Sequence, residues 1–92
     1  MPYWEKGDAE RKNGNIEKAI SLFDKARYHG YEASALYNSY AMAYRKLKDY
    51  DNEIAILDEA IKRFSVGNNE IVIQNWKDRR DRSIELKMKN KL

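Results

Sequence analysis

The chain contains no cysteine among its 92 residues, so it can form neither disulfide staples nor thiolate metal sites. Small extracellular domains usually depend on such staples, so a reducing, cytoplasmic setting is expected. One proline and four glycines leave few places where a helix must stop. No apolar run reaches the roughly 18 residues of a membrane span. The start, Met1-Pro2-Tyr3-Trp4-Glu5-Lys6, lacks the basic-then-apolar order of a signal peptide. No membrane partner is expected.

Catalytic residue types are scarce too. The one histidine, His29, sits beside Tyr28, Gly30 and Tyr31 and reads as a helix-end residue favoured by the dipole. Gly-rich phosphate loops are missing. Asp49-Tyr50-Asp51-Asn52-Glu53 has the acidic density of a calcium loop, but not its central Gly or its terminal Glu spacing. It reads as acidic enrichment at a helix start. Carboxylates abound, and none is singled out by an apolar setting. Neither enzymatic activity, nor a metal, nor a cofactor is expected.

What is present is charge and periodicity. Charged residues make up 36% of the chain, against about 25% in average domains. The 42% hydrophobic content suffices for a thin core, and two Trp, seven Tyr and two Phe speak against disorder. The length fits one small domain spanning residues 1–92. The net charge of +3 resides in the last stretch, because acidic and basic residues balance from Met1 to Asn69.

Apolar residues recur near every 3.6 positions, which predicts five helices. The first covers about 2–12, with Pro2 where a missing N–H costs nothing, and Asn13-Gly14-Asn15 ends it. Asn15 is placed to cap a second helix carrying Ile16, Ile20, Phe23 and Ala26, which stops near Gly30. A third helix (about 33–47) buries Tyr37, Tyr40, Ala41 and Tyr44. With Asp49 as its cap, a fourth (about 51–64) buries Ile54, Leu57, Ala60 and Ile61. The last (about 70–90) is the longest and most polar. Such short turns force antiparallel hairpins.

The chain also matches itself at an offset of 34. Tyr3 meets Tyr37, Ala9 meets Ala43, Arg11 meets Arg45, and Lys12 meets Lys46. Further on, Ile20 meets Ile54, Asp24 meets Asp58, and Ala26 meets Ala60. Gly7 with Ala41, Asn15 with Asp49 and Phe23 with Leu57 are conservative matches.

Two helices per 34 residues, with small residues where helices cross, resemble the tetratricopeptide repeat. Gly7 and Ala41 in the first-type helices, and Ala19, Phe23 and Ala26 in the second, carry the likeness, together with the turn Lys46-Leu47-Lys48-Asp49-Tyr50-Asp51. The resemblance implies an all-α fold, a short right-handed α-solenoid of antiparallel hairpins. Repeat 1 would span about 1–32, repeat 2 about 33–66, and a capping helix about 69–90. Three positions depart from the pattern: Glu10, Glu53 and Ser65. Two repeats and a cap are few for a stable stack, so a homo-oligomer or a larger assembly is a further expectation.

The resemblance also implies a protein-interaction scaffold whose first-type helices line a concave groove for a peptide or helix. Extending the offset gives four rows: Arg11, Arg45 and Arg79; Lys12, Lys46 and Arg80; Trp4, Asn38 and Val72; Asp8, Met42 and Trp76. The expectation is an apolar floor of Met42, Trp76, Val72 and Trp4 beside a basic edge that takes an acidic peptide. The plainer alternative is that these cations complement the C-terminal ends of their helices. The family's carboxylate clamp would need other residues at Trp4, Asp8, Ser39, Asn69 and Ile73, so no chaperone-tail binding is expected. Nucleic-acid binding through Lys77, Arg79, Arg80, Arg82, Lys87, Lys89 and Lys91 is a second reading. Asp78 with Arg82 and Glu85 with Lys89 stand at helical ion-pair spacing, which points instead to a solvated face.

Overall fold

Helix ends set the architecture. The structure, a computed structural model, describes residues 2–31, 33–67 and 69–90. Among these lie five α-helices: α1 (Tyr3–Lys12), α2 (Ile16–Tyr28), α3 (Ser34–Lys46), α4 (Tyr50–Phe64) and α5 (Glu70–Asn90). α1 closes on Gly14, which has a φ of 88°. The Gly14 N–H donates to the Arg11 carbonyl (3.1 Å) and the Asn15 N–H to the Glu10 carbonyl (2.9 Å). This left-handed closure satisfies carbonyls that the helix leaves open. α3 closes in the same way, but on Lys48, a non-glycine residue with a φ of 58°.

The two expected caps differ. Asp49 accepts from the Asn52 backbone N–H at 3.3 Å and so starts α4. Asn15 makes no such cap; its amide donates to Glu10 Oε2 at 2.7 Å instead. A carboxylate already sits beside Asn15, and it offers a charge-assisted bond.

α1 packs on α2, α3 on α4, and α5 on α4, while α2 joins the two hairpins through α3. The helices approach closely where small residues lie: Ala19, Ala26, Ala41, Ala43 and Ala60 are all buried. At Gly7 the fit is closest, since a Cβ there would stand 2.7 Å from the Phe23 ring. The repeat-2 counterparts are Ala41 and Leu57: a larger residue faces a smaller one, and volume is conserved.

α4 buries a wider face than the sequence pattern suggests. Glu53 and Ile56 are buried alongside Leu57 and Ala60, whereas Ile54 is only half-buried. The reason is that α4 is covered by both α3 and α5.

A polar network ties the repeats together. Arg27 of α2 forms a two-pronged pair with Glu59 of α4, and the Tyr37 hydroxyl donates to Glu59 at 3.0 Å. The Tyr40 hydroxyl donates to Asp24 at 2.6 Å. Burial, reinforced by Glu59, pushes the Tyr37 hydroxyl up to about 12. Burial would also raise the Glu59 carboxyl, but the hydrogen bonds from Arg27 and Tyr37 win and hold it below its ordinary value.

Candidate functional site

The C-terminal halves of α1 and α3 and the middle of α5 form one basic face. Arg11, Lys12, Met42 and Lys46, with Gly14 and Ile16, surround a depression of about 320 Å³. Met42 and Lys46 also border a second one of about 440 Å³, with Arg45, Lys48 and Arg79. Met42, 37% exposed, is the apolar element common to both.

Four of the basic residues are already engaged. Arg11 donates through Nε to Asp8 Oδ1 at 3.0 Å. Asp8 also accepts from the Ser39 hydroxyl at 2.9 Å and pairs with Lys12 at 3.3 Å. Burial alone would raise the Asp8 carboxyl, yet the hydrogen bonds from Arg11 and Ser39 hold it below the usual range. Arg45 and Arg79 both meet Glu53, whose side chain is 0% exposed. Arg45 Nε donates to Glu53 Oε1 at 3.1 Å; its Nη2 lies 3.0 Å from Oε2 as an ion pair and donates to the Arg79 carbonyl and to Ser83 Oγ. Arg79 Nε donates to Glu53 Oε2 at 3.1 Å. Two guanidiniums share one carboxylate, so the cluster keeps an excess positive charge. Burial, then the neighbouring Arg45, lowers the Arg79 guanidinium from its ordinary value. Lys46 and Lys48 are exposed, and neither forms an ion pair among the described residues.

The structure does not bring the remaining expected residues to this face. Trp76 is 1% exposed and belongs to the core. Its indole N–H donates to Asn38 Oδ1 at 2.7 Å, and its ring meets Phe64 at 5.2 Å and Tyr37 at 6.1 Å. Val72 packs on the core and borders a different hollow, with Asn69, Glu70 and Ile71. Trp4 stacks on Tyr31 at 6.2 Å near the far end of α1. Arg80 turns to Asp58 (3.1 Å) and Asp81 (3.6 Å). The expected floor of four apolar residues is therefore Met42 alone. A 34-residue offset cannot orient α5, because no second helix follows it among the described residues to fix its rotation.

The α5 cations are largely neutralised. Arg82 pairs with Glu85 at 2.8 Å and Lys87 with Asp51. Asp78 accepts from Gln74 rather than Arg82. Lys77 and Lys89 remain exposed, and Lys91 lies outside the described residues. No group of three or more His, Cys, Asp or Glu that could hold a metal occurs among the described residues. No helix among them is long and apolar enough to cross a membrane.

Sequence reasoning missed Glu53 and Lys48. A carboxylate at the position of Ala19 was the available signal, since a charge at a small-residue site must find cations on neighbouring helices.

Comparison with curated proteins and with solved structures gives no match. The family model of the tetratricopeptide repeat matches residues 2–26 and 34–64, which are the two hairpins. Stacked hairpins, small residues at their crossings and this match over more than half of the residues agree: the chain belongs to the tetratricopeptide repeat family.

Proposed function

We propose that the basic face around Met42 binds an acidic segment of another protein. Tetratricopeptide repeats generally mediate protein–protein interaction, which gives the class of function. The observation that carries the finer reading is the pair of adjoining depressions that share Met42 and Lys46. Around them, Lys46 and Lys48 have no carboxylate of their own, and Arg45 and Arg79 have only one between them. A carboxylate-bearing peptide supplies the missing charge, while Met42 offers adaptable apolar contact.

The test uses immobilised peptides of graded acidity, with the wild type and Lys46→Glu/Lys48→Glu compared. These two lysines are the right targets, because reversing Arg45 or Arg79 would strand the buried Glu53. The reading requires binding that grows with peptide acidity, weakens with salt and falls about tenfold in the double variant. Equal binding of neutral and acidic peptides would remove it. Salt-sensitive retention of nucleic acid by α5, unaffected by the double variant, would favour the other reading.

A further inference from the structure

The two repeats differ at one corner, where the first-type helix begins and the second-type helix ends. In repeat 2 that corner is full. α4 runs on to Phe64, and the rings of Tyr37, Phe64 and Trp76 meet there at 5.2–6.1 Å. The Trp76 indole N–H finds its acceptor on Asn38. In repeat 1 the same corner is open. Gly30 stands 34 residues before Phe64, and its φ of 80° closes α2 at Tyr28. What remains is a hollow of about 480 Å³ lined by Pro2, Tyr3, Trp4, Ala26, His29, Gly30 and Tyr31. Tyr3 is accordingly 40% exposed, while its counterpart Tyr37 is 0% exposed.

Two further observations bear on what would enter. The Trp4 Nε1–H is shielded from solvent and has no acceptor, alone among the buried side-chain N and O atoms of the described residues. Such a group calls for an explanation. Lys25 lies with its Nζ 5.9 Å from the Tyr3 ring centroid and forms no ion pair among the described residues.

We propose that this hollow is a binding site for an aromatic side chain carried next to a carboxylate on a partner peptide. The ring takes the place that Phe64 and Trp76 fill in the second repeat, against Tyr3, Trp4 and Tyr31. The carboxylate complements the charge of Lys25. The site lies apart from the face around Met42, and it stands or falls independently of that reading.

The experiment follows the two indole N–H signals of the whole chain by NMR, with N-acetyl-phenylalanine as probe; a Trp4→Phe variant identifies which signal is which. The expected result is a saturable shift of the Trp4 signal in the millimolar range, with Trp76 unmoved. N-acetyl-phenylalaninamide, lacking the charge, should bind about threefold more weakly, and N-acetyl-leucine about fivefold more weakly. Tyr31→Ala should weaken the probe about fivefold, while Tyr28→Ala, on a neighbouring side chain outside the hollow, should not. Three results would each overturn the proposal. These are an unmoved Trp4 signal, equal binding of N-acetyl-leucine, and a Trp4 signal that shifts with protein concentration alone, which would put a second copy in the hollow. The ligand series is run on the wild-type chain, so the outcome does not depend on any variant folding.

Discussion

Repeat 1 and repeat 2 solve the same packing problem with different residues. Where repeat 1 sets Gly7 against Phe23, repeat 2 sets Ala41 against Leu57. Where repeat 1 buries the methyl of Ala19, repeat 2 buries the carboxylate of Glu53 between two arginines. The closing residue is Gly14 in one and Lys48 in the other. A helical repeat therefore prescribes volumes and charge balance at each position rather than residue types. Once a neighbouring position compensates, the type is free to change.

Making the repeats alike tests that conclusion. The largest effect is expected from Glu53→Ala, which copies repeat 1 at that position. It strands Arg45 and Arg79 and leaves a cavity, at a cost of about 2–3 kcal/mol, the arginines' partial exposure keeping the loss near the lower end. Urea unfolding measures it. If stability is unchanged, the triad is not a structural element. Gly7→Ala comes next. Helix propensity favours alanine by about 1 kcal/mol, but the contact with Phe23 outweighs that, for a net loss of about 1–2 kcal/mol. Combining it with Phe23→Leu reproduces the repeat-2 pair and should recover part of the loss. A double variant no better than the sum of its parts would refute the compensation.

Acid titration probes the polar links. The Asp8 and Glu59 carboxyls sit below their ordinary values in the folded chain, so the unfolded chain binds protons first. Their contribution is fully present above about pH 4.5 and is lost as the pH falls through the lowered folded values. Unfolding free energy should decline across that window, and Glu59→Gln should flatten the decline. The smallest effect concerns the turn. Lys48→Gly relieves a left-handed non-glycine residue and should stabilise by about 0.5 kcal/mol, seen as a small rise in Tm.

The five helices were legible because their breakers are local: Asn13-Gly14-Asn15 and Gly30 need no tertiary context to end a helix. The 34-residue offset carried the hairpins for the same reason, because the repeated residues are those at helix crossings. Three features escaped these signals, the last two because they depend on neighbours distant in sequence. Lys48 adopts a glycine-like conformation because Asp49 and α4 follow at once. Trp76 turns inward because Phe64 and Tyr37 make room for it. Arg45 and Arg79 face Glu53 because α5 lies across α4. At the candidate site, Arg11, Lys12, Met42, Arg45, Lys46 and Arg79 were legible as neighbours. Their internal pairings were not, since periodicity locates a side chain without saying which partner claims it.

The position of α5 has a consequence for any attempt to shorten the chain. Glu53 and the Tyr37–Phe64 ring pair are sealed by one helix that lies beyond the residues matched to the family. A fragment cut after Phe64 would keep both hairpins in sequence, yet open its core to water on one flank and place an ionised carboxylate there with half of its counter-charge. The terminal helix is thus the keystone of the arch, and its removal is expected to loosen both hairpins.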